Sequence, residues 1–592
     1  MDHAPYRLAE RLEAHLGDPA DPATLFSAAR CVELDEREQF PAELCEQLEA
    51  WGIQDYYVPV AHGGRLESYE QLLQLIRTVA RRDLTVAIGH GKTYLGGVCV
   101  WTSGSAGQAA ALAADIEACV PVSLGLTERA HGSDLLAGEL VAEPDGAGGY
   151  LVSGEKWLIN NATRGSVLSL LTRTAEAGGP RGFSVLLVDK RTLGPEHYRC
   201  LDKIPTHGIR GADISGIAFD RAPVPASAVV GTVGGGVETV LKALQLTRTM
   251  CAALSLGAAD HALTLALDFA EQRELYGRRL IDLPKARRTL ADAAADVLVG
   301  EALALVASRS VHTLTGELSI TAAVTKYLVP TGTEGVIAEL TKLLGARAFL
   351  KDVYAGGMFQ KIDRDHRIVG LFDGNTLVNL NSLISQFRSL VRAYRRGLGD
   401  PAGAEAAFRL AAPQPELDPG RLSLVARHGS SVIASLPGTV AALRAAAATE
   451  PALKAALATA ERLLARTAEV HDAMELHQNA VGDVPVEAFE TAKRYALCFA
   501  GAACLGLWAH NREQGAAGRT GRLWQDGRWL RPALDRVLRR LGETTPDDPE
   551  GYEELLVLLR ESRAGGELFS LLPLALAGAR TTAGTTTEGA SC

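Results

Sequence analysis

The sequence predicts a mainly α-helical protein with one β-domain set in its middle. Three observations carry this. Apolar residues recur at helical spacing up to about residue 118 and again from about 236. Between them lie short β-rich runs separated by Gly and Asp/Asn clusters. A second Ala-rich helical stretch follows Gly397-Leu398-Gly399-Asp400-Pro401, whose composition reads as a linker.

A chain of 592 residues is too long for one hydrophobic core. The expected division is an N-terminal helical domain (1–120), a middle β-domain (121–235), a helical bundle (236–396), an additional helical domain (400–580) and a disordered tail (581–592). In the first, Leu72, Leu73, Leu75, Ile76 and Val79 give a helix over 69–80, and Trp51-Gly52 and His62-Gly63-Gly64 mark turns. In the second, Tyr150-Leu151-Val152, Trp157-Leu158-Ile159, 166–171 and 183–188 read as separate strands of a mostly antiparallel sheet. In the third, 241–271 and 284–310 are Ala- and Leu-rich helices of a bundle. Loops are expected at 413–420 and 544–550 of the fourth, and the Thr/Gly/Ser-rich tail supports no packed structure. The cluster Gly231 to Gly236 lacks a surrounding βαβ unit, so it is read as a domain linker and not a dinucleotide loop.

Composition excludes several functions. A net charge of −10 gives no electrostatic case for nucleic acid. The nine cysteines are odd in number and form no Cys-x-x-Cys pair, which suggests reduced thiols and a cytoplasmic location. Met1-Asp2-His3-Ala4-Pro5 lacks the apolar core of a signal peptide, no membrane span is expected, and no metal ligand set is assigned.

Two segments of the β-domain carry chemistry. Leu126-Thr127-Glu128-Arg129-Ala130-His131-Gly132-Ser133-Asp134 leaves a strand for a loop whose N–H and O–H groups suit a polar cofactor. Gly154-Glu155-Lys156-Trp157-Leu158-Ile159-Asn160-Asn161-Ala162 follows, by itself a turn between strands. Further on, Arg273-Glu274-Leu275-Tyr276-Gly277 ends a long helix, and a guanidinium there suits a diphosphate. Together these resemble the acyl-CoA dehydrogenase family, through Thr127, Gly132, Ser133, Asp134, Gly154, Lys156, Ile159, Asn161 and the Arg-x-x-Tyr-Gly motif. The resemblance covers about residues 20–395. It implies that family's fold, with the extra C-terminal helices seen in long-chain members, and FAD as cofactor. It places Thr127, Ser133, Leu158 and Asn160 at the flavin. Arg273 and Tyr276 would complete the FAD site of a neighbouring subunit, so a homodimer or homotetramer is expected. The segment Lys342 to Phe349 resembles the family's glycine-rich turn and places Gly345 near the adenosine half. Departures from the pattern are Arg129 and Ala130 for Pro-Gly, Leu158 for an aromatic, Asn160 for a hydroxyl residue and Pro284 for a Gln.

The stretch Arg364-Asp365-His366-Arg367-Ile368, then Leu371-Phe372-Asp373-Gly374-Asn375-Thr376, reads as a charged turn, an apolar pair and one carboxylate beside a glycine. By the resemblance Asp373 is the catalytic base that takes the proton next to a thioester carbonyl, a place usually held by Glu. Gly374 borders the substrate and Asn375 the cofactor, Arg248 either borders the acyl pocket or makes a structural ion pair, and Thr247 offers no relocated carboxylate. Aspartate is shorter by one methylene. Three readings stay open: dehydrogenation with Asp373 as base; a related flavin oxidase, because nitroalkane oxidases resemble the family and use aspartate there; or a catalytically silent scaffold. The substrate would be an acyl-CoA or an acyl-carrier-protein thioester, of fatty acid or secondary metabolism, and the electron acceptor a flavoprotein or oxygen.

Overall fold

The computed structural model describes residues 3–478, 483–518, 520–544 and 548–578; the expected tail at 581–592 lies outside them. Six helices open the chain: α1 (Ala4–Leu16), α2 (Ala28–Glu36), α3 (Ala42–Trp51), α4 (Tyr69–Arg82), α5 (Leu84–Ser103) and α6 (Ala106–Glu117). Local chemistry sets their starts. Ser68 and Gln71 form a capping box on α4, Ser105 and Gln108 another on α6, and the Asp83 carboxylate caps α5 at Val86.

Eight strands then build one sheet: β1 (Val122–Gly125), β2 (Val141–Pro144), β3 (Tyr150–Asn160), β4 (Val167–Arg173), β5 (Phe183–Asp189), β6 (Tyr198–Leu201), β7 (Ile214–Val224) and β8 (Val229–Val230). The order is β6-β7-β3-β2-β4-β5-β8, antiparallel except that β4 pairs in parallel with β1 and briefly with β2. The two short runs expected at 150–152 and 157–159 are one strand. Register shifts after Val152 and Trp157 interrupt it, where Gly154 (φ 125°) and Leu158 (φ 56°) take left-handed backbone. Gly154 is needed there, because a Cβ would stand 2.9 Å from the Leu140 backbone. Gly231 to Gly236 connects β8 to the bundle, as its sequence suggests.

The bundle comprises α7 (Gly236–Gln272), α8 (Pro284–Thr313) and α9 (Leu318–Leu344), followed by α10 (Met358–His366), α11 (Thr376–Ile384) and α12 (Phe387–Arg395). Between α7 and α8 the strands β9 (Glu274–Leu275) and β10 (Arg278–Arg279) form a hairpin. Its turn is Tyr276 (φ 54°) and Gly277 (φ 72°), so this glycine serves a hairpin turn and not a helix cap. The remaining helices are α13 (Pro401–Phe408), α14 (Ser431–Ala434), α15 (Leu436–Thr449), α16 (Lys454–Glu475), α17 (Val486–Ala516), α18 (Gly521–Trp524), α19 (Leu530–Arg540) and α20 (Pro549–Ala564). They pack on the bundle through α17, α19 and α20 against α8, with Trp508, Trp524 and Trp529 buried. Among the described residues, two helical segments are long and apolar enough to span a membrane by length and composition alone. One is residues 236–272, whose apolar window is 83% buried as a core helix; the other is 431–449, at 39%.

Candidate active site

The charged motif before Asp373 is helical, not a turn, because Arg364 to His366 form the end of α10. Each of its polar residues is a tether. Arg364 Nη2 lies 2.6 Å from Asp35 on α2. Asp365 accepts from Lys361 Nζ at 2.6 Å and from the Ile209 N–H of the β-domain at 2.6 Å. His366 Nε2 meets Ser255 Oγ of α7 at 3.0 Å, and burial lowers its pKa to about 3, so the imidazole is neutral. These contacts fix where the chain leaves α10 and turns into Phe372, Asp373 and Gly374.

Asp373 (φ 53°) and Gly374 (φ 92°) are successive left-handed residues. Only glycine suits the second, for its φ and because a Cβ would stand 2.8 Å from Arg248 Nη2. Arg248 of α7, only 7% exposed, donates from Nε to the Asp373 backbone oxygen at 2.9 Å. It therefore holds the turn and makes no ion pair among the described residues. The Asn375 side chain caps α11 by accepting from Val378 N–H at 2.9 Å. Its amide oxygen is thus engaged by backbone.

The Asp373 carboxylate faces a pocket of about 370 Å³ of empty space, its open mouth included, lined by Ile76, Ala87, Ile88, Leu95, Met250 and Leu254 among others. One lining residue went unnoticed in sequence: Lys92 of α5, whose Nζ lies 3.3 and 3.2 Å from the two Asp373 oxygens and 3.8 Å over the Phe372 ring. Its signal was available, since Lys92 is the one Lys, Arg, Asp or Glu in the Gly-rich apolar helix α5. Two further neighbours were also missed. Cys251 Sγ lies 3.8 Å from Asp373 Oδ2, its thiol pushed up to about 11 by burial. Lys326 of α9 donates to Val369 O at 2.5 Å, its pKa lowered by burial.

The β-domain reaches the same helix from the other side. Asn160 Nδ2 approaches Ile88 O at 3.5 Å, and Asn161 Nδ2 donates to Gly89 O at 2.7 Å. Ile88 also lines the Asp373 pocket, so α5 joins the two halves of the candidate site. The loop holding Thr127 and Ser133 is tied at its base. Buried Glu128 accepts from Lys156 Nζ at 2.7 Å, Glu139 N–H at 2.6 Å and Leu140 N–H at 3.1 Å. Thr127 O accepts from Trp157 N–H at 2.9 Å, and Ser133 faces solvent. Trp157 Nε1 and Asn160 Oδ1 are buried polar atoms without a protein partner, and the Leu158 bulge is 41% exposed. Unspent donors and acceptors beside an open face are what a polar, flat cofactor requires.

Other sequence-predicted residues lie elsewhere. Arg273 follows α7, 25 residues beyond Arg248, which is roughly 37 Å along a helix at 1.5 Å per residue. Tyr276 at the hairpin tip is 95% exposed. Gly345 (φ 61°) ends α9, and the segment after it packs on the last turns of α7, where the Tyr354 hydroxyl donates to Leu265 O at 2.6 Å. Arg273, Tyr276 and Gly345 thus belong to the bundle end remote from Asp373.

The family description "Acyl-CoA dehydrogenase, middle domain" matches residues 123–222, and "Acyl-CoA dehydrogenase, C-terminal domain" matches 234–387. Cyclohex-1-ene-1-carbonyl-CoA dehydrogenase of Geobacter metallireducens is 25% identical over 382 residues, covering 63% of this chain and 96% of the relative. Among solved structures, butyryl-CoA dehydrogenase from Megasphaera elsdenii has a TM-score of 0.59 at 22% identity, covering 64% of this chain and 98% of its own. An acyl-CoA dehydrogenase complexed with FAD from Bacillus anthracis has a TM-score of 0.61 at 17% identity and covers 95% of both chains, so its likeness extends over the C-terminal helices. The fold is that of a flavoprotein dehydrogenase core with an appended helical domain. Residues 123–222 and 234–387 carry the middle and C-terminal domains of the acyl-CoA dehydrogenase family.

Proposed function

We propose that this protein is an FAD-dependent dehydrogenase that introduces an α,β double bond into an acyl thioester, with Asp373 as the base. One observation carries the reading. A carboxylate on a left-handed turn, anchored by Arg248, projects into an apolar pocket whose opposite wall, α5, also touches the β3 residues Asn160 and Asn161. FAD fits this chain: the exposed Ser133 loop, the Leu158 bulge and the unpartnered Asn160 and Trp157 atoms would hold the flavin end. When bound, FAD accepts hydride from the β-carbon. Asp373 takes the α-proton, and the apolar lining excludes water from the acyl group. Arg248 keeps the carboxylate in place through its own backbone.

The distance of Arg273 and Tyr276 from Asp373 supports a homodimer or homotetramer in which this hairpin serves another copy's cofactor. The acyl group is carried by coenzyme A or a carrier protein, the electrons pass to a flavoprotein or oxygen, and the enzyme works in the cytoplasm. The test is an anaerobic flavin spectrum against acyl thioesters, with Asp373→Ala alongside. Bleaching in the wild type that is lost in the variant is expected. Peroxide formation with nitroalkanes and no bleaching by thioesters would establish the oxidase, and FAD that fails to bind would establish the scaffold.

A further inference from the structure

Charge around Asp373 is unbalanced. Lys92, Arg248 and Lys326 surround it, and their electrostatic fields overlap at Cys251 between them. Lys326 is 2% exposed and Arg248 7%, and the Lys92 side chain is 13% exposed. Among the described residues, Asp373 is the one carboxylate within ion-pair distance of any of the three. The next acid acting on Lys326 is Glu334, which faces solvent. Within the acyl pocket itself Lys92 and Asp373 are the two charged groups, and the other lining is apolar save for Thr247, Tyr94 and Cys251. Tyr94 is directed away, its hydroxyl donating to Tyr69 at 2.7 Å.

This arrangement conflicts with a neutral fatty acyl chain. Asp373 is the one carboxylate facing Lys92, so once Asp373 has taken the α-proton, Lys92 is left without a protein counter-charge in an apolar pocket. A second carboxylate, brought by the substrate, removes this difficulty. It replaces Asp373 as the partner of Lys92 and balances the pocket in the protonated state.

We propose that Lys92 is a specificity-determining residue and that the pocket takes an acyl thioester carrying a terminal carboxylate. The inference rests on the dehydrogenase reading and narrows it. Lys92 rises from the α5 wall and its Nζ reaches 3.2 Å from the Asp373 carboxylate, so an acyl chain that meets Asp373 lies within reach of the ammonium as well.

The test compares matched coenzyme A thioesters on the FAD-loaded protein: succinyl with butyryl, and glutaryl with valeryl. Binding by calorimetry tests the inference, and anaerobic flavin bleaching tests the dehydrogenase reading, so their failures are separable. The carboxylated member of each pair is expected to bind at least tenfold more tightly. Lys92→Met should abolish that preference and favour the neutral thioester, and Lys92→Arg should retain it. Equal binding of the two members by the wild type overturns the inference, as does an unchanged preference in Lys92→Met. If Lys92→Met fails to fold, the wild-type pairs and Lys92→Arg still decide.

Discussion

The pocket around Asp373 and the junction around Arg309 both take charge out of water, and they do so in opposite ways. At the junction every buried charge has a full set of partners. Arg309, 1% exposed, pairs with Glu70 at 3.0 Å and donates to the backbone oxygens of Ala406, Ala407, Arg409, Leu410 and Ala412. Nearby Arg77 pairs with Asp260 and Glu301, each at 2.7 Å, and Glu301 also accepts from Tyr6, Ser570 and the Leu571 N–H. These networks join α1, the bundle and the C-terminal helices. Around Asp373, three cations lie near one carboxylate, and of the three only Lys92 is within ion-pair distance of it. Fully paired buried charge fixes geometry; the deficit marks where a ligand completes the pairing.

The comparison is sharpened first by breaking the balanced region. Arg309→Met leaves Glu70 short of a partner and takes the guanidinium donor from five carbonyls. It should cost about 3–5 kcal/mol, read as a lower denaturation midpoint. A smaller effect is expected where the bundle meets α14. Burial raises the Glu317 pKa to about 7, Asp400 adding to it and hydrogen bonds from Ser431 opposing it. The folded state then holds this proton more tightly than the unfolded state does. Its contribution is complete below the unfolded value near 4.5 and is lost as pH rises through about 7. Stability should fall by about 3 kcal/mol across that window, and Glu317→Gln should flatten the fall in denaturation series at pH 5, 6, 7 and 8. Least of all, Gly374→Ala forces a Cβ onto Arg248 at φ 92°. A loss on the order of 1–3 kcal/mol is expected, with the chain still folded by circular dichroism.

Much of the helical frame was legible in sequence because it rests on local periodicity. The helices expected at 241–271 and 284–310 are found as α7 and α8. Asp373 and Gly374 stood out through their motif, and the Arg-x-x-Tyr-Gly run marked the end of α7, though not the hairpin that follows it. Other features depended on tertiary partners. The continuity of β3 was hidden by two bulges, where Gly154 and Leu158 break the alternation that a strand reader follows. Arg364, Asp365 and His366 read as a turn because of their charge, yet their partners at Asp35, Lys361 and Ser255 are supplied by other elements. Lys92 and Asp373 are 281 residues apart, and their pairing exists only once α5 packs against the turn after α10.

The measurement that tests the central claim most directly is α-hydrogen exchange. The FAD-loaded protein is incubated anaerobically with an acyl-CoA deuterated at the α-carbon, and loss of deuterium to water is followed by mass spectrometry. The account predicts wash-out by the wild type and a rate at least about 10²-fold lower in Asp373→Asn. Wash-out at the same rate in both proteins would contradict it, because the proton would then leave by a group other than Asp373.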